Sequence, residues 1–299
     1  MFLIKRISFF AVILFSSQVF ASLKVATYNI KTFDAFKGNT NKVELKKILE
    51  NVDADIFTVE EIINGKTFTS FIKTEFPGYS LFLSRCGGRG RQKIGFVYRN
   101  SKVKLDKVHE DNRLSDPGNI TGEYGCGRLR PAVVGMFTEK KSKEKFVIVG
   151  LHLKAGGTAR SYDQRSKQYK IVARIVRELK YADYKNVLLM GDLNSTGFIS
   201  FDEDYNNFQD MLLDTNMETS SKNLKCTSYW SGMNRSDNIE ESSVLDHVIF
   251  SENFLNYSQS KVQLHSHCKK ARCQHVSAAD LGISYNEVSD HCPVSITFK

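Results

Sequence analysis

Asn186-Val-Leu-Leu-Met-Gly-Asp-Leu-Asn-Ser195 is the stretch on which the reading of this chain turns. Val187 to Met190 form an unbroken apolar run, the pattern of a short strand covered on both faces. Gly191 ends the run and lets the backbone turn sharply. Asp192 and Asn194 stand two residues apart, so on an extended chain they project from the same side. A carboxylate beside a neutral amide at a strand end suits a divalent cation and a bound phosphate. The carboxylate holds or deprotonates a water, and the amide donates to a phosphate oxygen without repelling it. Alone, the stretch reads equally well as a polar turn after a core strand.

The same arrangement recurs along the chain. Lys24 to Tyr28 is β-prone and ends at Asn29; Ala54 to Val59 ends at Glu60-Glu61; Phe146 to Leu151 closes on His152. Val244 to Phe250 reads as a strand interrupted by Asp246-His247, and Asp290-His291 precede a last strand, Pro293 to Phe298. Helical patterns cover Asn41 to Asn51, Lys66 to Glu75 and Tyr162 to Tyr181. The last has an apolar face of Ile171, Val172, Ile175, Val176 and Leu179, with Arg and Lys read as a solvated surface. Further strands are expected at Tyr79 to Leu83, Ile94 to Tyr98, Val103 to His109 and Ala132 to Phe137. With strands outnumbering helices and no repeat or linker, the pattern predicts one α/β domain of two packed sheets with helices outside. Asn29 alone would be a turn cap, Glu60 and Glu61 a solvated pair, and His152 a satisfied histidine at a strand edge. Six strand ends carrying such groups together are much less readily dismissed.

The N-terminus reads as a leader. Lys5 and Arg6 precede the apolar run Ile7 to Phe15, and Val19-Phe20-Ala21 offers a cleavage point before Ser22. The expectation is a signal peptide over residues 1–21 and an exported catalytic domain over 22–299, secreted or periplasmic. The run is too short to span a bilayer comfortably. Without Lys5 and Arg6 the formal charge falls from +9 to +7, still basic and suited to polyanions. The six cysteines, all beyond the leader, favour disulfides in an exported chain. Cys268 with Cys273, and Cys86 with Cys126, are candidate pairs. A zinc site from Cys268, Cys273, His265, His267 and His275 ranks behind, because its spacing fits no common structural zinc pattern.

The segments Ala26-Thr-Tyr-Asn29-Ile, Asp55-Ile-Phe-Thr-Val-Glu-Glu61-Ile, Gly150-Leu-His152-Leu-Lys, Met190-Gly-Asp192-Leu-Asn194-Ser, Leu245-Asp246-His-Val-Ile and Ser289-Asp290-His291-Cys-Pro-Val follow one another in a familiar order. In them the chain resembles the endonuclease/exonuclease/phosphatase superfamily, the deoxyribonuclease I-like fold. The resemblance implies a four-layer α/β sandwich of two mixed β-sheets flanked by helices, with the active cleft at one end. It implies Glu61 as main ligand of a catalytic Mg²⁺ (or Mn²⁺ or Ca²⁺), with Asp290 near the metal. Asn29 and Asn194 would hold the scissile phosphate, and Asp192 would position or deprotonate the attacking water. His291, oriented by Asp246, and His152 would serve as acid/base groups or donors to phosphoryl oxygens.

Two departures stand out. Glu60 occupies the place of a frequent Gln, leaving the choice of metal-binding acid open, with Glu61 favoured. Gln92 stands where related deoxyribonucleases often place the Glu that pairs with the first histidine, and a neutral amide stabilises a charged ring less.

Fold does not settle substrate. The loop Arg85-Cys-Gly-Gly-Arg89-Gly-Arg91-Gln-Lys93 puts four cations on a glycine-rich segment able to follow a phosphate backbone, and Arg113, Arg128 and Arg130 supply more. No long aromatic hairpin for entering a membrane is present, against a sphingomyelinase-type phospholipase and against stable membrane association. The reading is an exported, monomeric, metal-dependent endonuclease acting on nucleic acid, with DNA favoured over RNA and little sequence preference. A catalytically silent binding relative is the second reading, opposed by the intact set of acids and histidines.

Overall fold

Residues 22–36, 40–118, 125–198, 201–232, 236–252, 254 and 261–298 are described by the computed structural model, and the expected leader over 1–21 lies outside them. The first half of the chain runs β1 (Leu23–Phe33), α1 (Lys42–Val52), β2 (Ile56–Ile62), α2 (Gly65–Glu75), β3 (Tyr79–Leu83), β4 (Lys93–Arg99), β5 (Val103–Asp111) and β6 (Ala132–Glu139). Next come β7 (Lys145–His152), α3 (Ala159–Tyr181), β8 (Val187–Asp192), α4 (Glu203–Thr215), β9 (Met217–Thr219), β10 (Ser228–Trp230) and β11 (Ile239–Ser243). The chain closes with β12 (Asp246–Ser251), β13 (Val262–Leu264), α5 (Ser266–Ala271), β14 (Val276–Ser277), α6 (Ala278–Leu281), α7 (Ile283–Glu287) and β15 (Val294–Phe298).

One six-stranded sheet has the order β13-β15-β1-β2-β4-β3, the other β5-β6-β7-β8-β12-β9, and β10-β11-β14 form a small third sheet. Each large sheet is mixed: β1 runs parallel to β2 and β7 parallel to β8, with antiparallel neighbours beyond. Alternation along the strands builds the layers. Val25, Ile56, Leu188 and Met190 point between the sheets. Ala26, Tyr28, Phe57 and Val59 point outward beneath α1 and α2. Val187 and Leu189 point the other way, beneath α3 and α4. The run Val187 to Met190 is therefore buried on both faces, and truncating such a Leu to Ala costs about 2–5 kcal/mol. This is the four-layer sandwich expected from the sequence.

Gly191 does something other than turn the chain. β8 continues through it to Asp192, pairing Gly191 with Leu151 on one side and His247 on the other. Its φ is +147°, and a Cβ there would lie 1.8 Å from the Leu151 carbonyl oxygen. Only glycine fits between the two strands. Nor does Asp246-His247 interrupt a strand, because Asp246 begins β12. The helix α4 was not anticipated, although Phe208, Met211, Leu212 and Thr215 give it a buried face and Asp202 caps its N-terminus.

The disulfides are Cys86–Cys126, Cys226–Cys273 and Cys268–Cys292. The first is as expected; the expected Cys268–Cys273 loop is not formed. Cys268 faces inward from α5 to Cys292, while Cys273, past the helix end at φ +58°, reaches Cys226. With these sulfurs bonded, the zinc alternative has no thiolates to offer. Among the described residues, no helix is long and apolar enough to cross a membrane.

Candidate active site

The ends of β1, β2, β7 and β8 and the start of β12 meet at one end of the sandwich. Register fixes the neighbours: His152 and Asp246 both lie opposite Asp192, on its two sides. Asp192 is 1% exposed and sits at the centre. Its Oδ1 accepts the Asn194 backbone N–H at 2.8 Å, and its Oδ2 accepts the Asn29 side-chain amide at 2.9 Å. His152 Nε2 lies 3.5 Å and His291 Nε2 3.9 Å from that same Oδ2. Burial pushes the Asp192 carboxyl up to about 7, against the lowering pull of the nearby His291 charge.

The adjacent acids of β2 have separate fates. Glu60 is fully buried, its Oε1 accepting from Thr27 Oγ1 at 3.0 Å and its Oε2 without a partner among the described residues. Burial raises its pKa well above the usual carboxylate range. Glu61 has φ +62°, an uncommon conformation for a side chain of this size, and turns into the site. Its Oε2 accepts the Thr32 N–H at 2.8 Å, its Oε1 accepts the second bond of the Asn29 amide at 3.3 Å, and His152 Nε2 stands 3.7 Å away. Of the two acids, Glu61 turns into the site and Glu60 does not reach the cleft.

The two histidines differ. His291 Nδ1 is 2.8 Å from Asp246 Oδ2, and its backbone N–H donates to Ser289 Oγ, which in turn donates to the Asn29 carbonyl. Burial works to lower the ring's pKa, but Asp246 and Asp192 override it and hold His291 well above its ordinary value. Among the described residues His152 Nδ1 has no partner, and burial, then the charges of Arg130 and His291, hold its pKa well below the ordinary value. The expected partner Gln92 is not hydrogen-bonded to it: Gln92 closes the β3–β4 loop through its backbone bond to Gly87. Asp290 Oδ1 lies 4.0 Å from His291 Nε2, and its Oδ2 is 2.8 Å from the Lys31 ammonium.

Oxygen donors dominate this end, a set that suits a hard divalent cation. Glu61 is turned into the site and held by two donors, whereas Asp290, beside His291, carries the Lys31 ammonium on Oδ2, whose place a metal would take. Among the described residues, one carboxylate–histidine group that could hold an ion is Asp192, Asp246 and His291, all buried, whose ligand atoms lie within 4.8 Å of one another. Asn29 and Asn194, expected on phosphate, here brace their neighbours: Asn194 Nδ2 donates to the Leu153 carbonyl at 3.3 Å.

The expected cations divide. Arg89, Arg91 and Arg128 are exposed and Lys93 half-buried, with the Arg89 N–H donating to the Arg128 carbonyl and Cys86–Cys126 joining the two loops. Arg130 is no surface group: it is 8% exposed, and its guanidinium donates to the carbonyls of His152 and Leu153. Arg113 is committed to Asp111 and Glu178. Arg165 on α3, read as solvated, is fully buried on Asp204, the carbonyls of Lys154 and Gly156, and Thr196. Missed altogether was Thr227, whose Oγ1 accepts the backbone N–H groups of Leu245 and Asp246. No sequence pattern marks it; its role appears only once the residue before β10 is brought against the start of β12.

Solved structures share this architecture. An endonuclease/exonuclease/phosphatase family protein from Bacteroides thetaiotaomicron matches with TM-score 0.60 and 19% identity, over 93% of this chain and 96% of that one. The human Nocturnin catalytic domain with bound sulfate matches at 0.64 and 16%, over 93% and 94%. D. rerio TDP2 in complex with a single-strand DNA product matches at 0.63 and 15%, over 93% and 99%. No curated protein sequence matches the chain. Residues 26–291 match the Endonuclease/Exonuclease/phosphatase family from its first strand to its last histidine, and the chain belongs to that family.

Proposed function

We propose that the protein is an exported, divalent-metal-dependent endonuclease that hydrolyses phosphodiester bonds of nucleic acid, DNA in preference. The observation that carries this is the buried Asp192, set between two amides and two histidines with its carboxyl pushed up to about 7. Such a carboxyl is matched to taking a proton from water near neutral pH.

Glu61 and Asp290 would hold Mg²⁺, which when bound neutralises charge on the phosphoryl group. Asp192 accepts the proton of the attacking water. His291, kept charged by Asp246, donates from Nε2 to a phosphoryl oxygen or to the leaving alkoxide. His152, neutral, presents Nε2 toward the same centre as a hydrogen-bond donor. Asn29 and Asn194 orient the carboxylates and the phosphate. The exposed Arg89, Arg91 and Arg128, with the half-buried Lys93, track the phosphate backbone beyond the site. A nucleic-acid substrate is supported by this basic wall and by the DNA product carried by a structure of the same fold.

The test is incubation of the purified protein, disulfides intact, with supercoiled plasmid and Mg²⁺, with and without EDTA. Conversion to nicked, then linear and fragmented DNA, abolished by EDTA, is the expected result. Plasmid left intact across Mg²⁺, Mn²⁺ and Ca²⁺ would overturn DNA as substrate and redirect assays to RNA and phospholipid headgroups.

A further inference from the structure

Trp230 is the chain's one tryptophan, and at 38% exposure it lies at the surface although β10 is firmly held. On one side of β10, Tyr229 is buried against Cys226, Cys268, Leu281 and Cys292. The Tyr229 N–H donates to the Asp290 carbonyl at 2.9 Å and its hydroxyl to the Gln274 carbonyl at 2.9 Å. Ser228 is bridged antiparallel to His291, and bridged residues send their side chains to the same face. Trp230, two residues on, shares that face about 7 Å further along the strand. The indole thus lies on the face of β10 that meets His291. Glu241 pairs with Trp230 across the hairpin. That carboxylate disfavours a phosphate at this spot and leaves the indole face to a neutral, planar group.

We infer that Trp230 is a stacking platform for a base of the substrate, on the nucleotide adjoining the reacting phosphate. This rests on the nuclease reading and deepens it: the β3–β4 loop holds phosphates by charge, and Trp230 holds a base by its π-face. An indole on a rigid strand loses little entropy on stacking, and every base offers a face, so the platform favours single-stranded or locally opened substrate without reading sequence.

The lone tryptophan is its own reporter. In EDTA, so that nothing is cleaved, an oligothymidylate should quench the protein's Trp fluorescence, whereas inorganic polyphosphate of similar charge should not. Equal responses, or none, would overturn the platform. With Mg²⁺, Trp230→Ala should raise KM for a single-stranded oligonucleotide about 10-fold with little change in kcat, and Trp230→Phe should restore most of it. An oligomer of abasic sites, keeping the backbone but no bases, should be cleaved equally by the wild type and Trp230→Ala. A parallel loss on the abasic oligomer would mean that Trp230 only supports the fold, and would overturn the inference. Failure of the nuclease reading would show separately, as nucleic acid left intact by the wild-type protein.

Discussion

His152 and His291 both lie buried within 4 Å of Asp192, yet their surroundings drive the ring charge in opposite directions. His291 is bonded to a buried carboxylate and is held charged; His152 has a bare Nδ1 and a buried guanidinium nearby, and is held neutral. The two halves are also braced differently. Around His152 the bracing is polar, from Arg130 and Arg165 onto backbone carbonyls. Around His291 it is covalent: Cys292 follows the histidine directly and is bonded to Cys268, while Cys226–Cys273 pins the start of β10. One kind of residue can thus be set as a cationic acid or as a neutral donor by what touches its second nitrogen. In the proposed mechanism the site draws both from a single pair.

The comparison can be broken most directly by activity. His291→Ala is expected to lower kcat about 10³-fold, and Asp246→Asn nearly as much, because the ring loses its charge and orientation. His152→Ala should cost only about tenfold, the worth of one neutral hydrogen bond. Plasmid nicking rates at saturating Mg²⁺ measure all three, and equal losses at the two histidines would erase the distinction.

Stability sharpens it next. Arg165→Ala leaves Asp204 buried without its partner and should destabilise the protein by about 3–5 kcal/mol, read from urea unfolding. A smaller effect would mean the His152 half is not held by its buried cations. His247, beside Asp246, contrasts with His291: it lies between Ser195 and Ser221, and burial lowers its pKa to about 3. The unfolded chain therefore binds the extra proton first, so stability is lost as pH falls below the ordinary histidine value near 6.5. The loss should reach roughly 3 kcal/mol by about pH 4, and His247→Gln should flatten that limb in pH-dependent melts. The smallest effect is electrostatic: replacing Arg89 and Arg91 by Ser should reduce the slope of log affinity against log salt by about 2 for duplex DNA. An unchanged slope would remove the β3–β4 loop from the binding surface.

The layers were legible in the sequence wherever burial writes a local pattern. Val187 to Met190 had to be covered on both faces, and the polar residues after such strands had to gather at one end. What stayed hidden depends on partners distant along the chain. Gly191 is dictated by the Leu151 carbonyl of β7, which no reading of its own neighbours supplies. Glu60 and Glu61 look alike until the left-handed backbone at Glu61 separates them. Arg113 and Arg130 read as cations free to meet a phosphate backbone and Arg165 as solvated, and only tertiary contacts show all three committed. The cysteine pairing followed the packing of α5 rather than proximity in sequence. The helix α4 did leave a signal, Phe208 with Met211 and Leu212 behind a capping Asp202, hidden within a stretch taken as merely polar and acidic.

The opposed charge of the two histidines is open to direct observation by NMR titration of their ring protons in the native protein, each assigned by its Gln variant. The account predicts that His291 stays protonated well above pH 6.5, while His152 remains neutral well below it. Two rings titrating together near the unperturbed value would contradict the division of roles on which the mechanism rests.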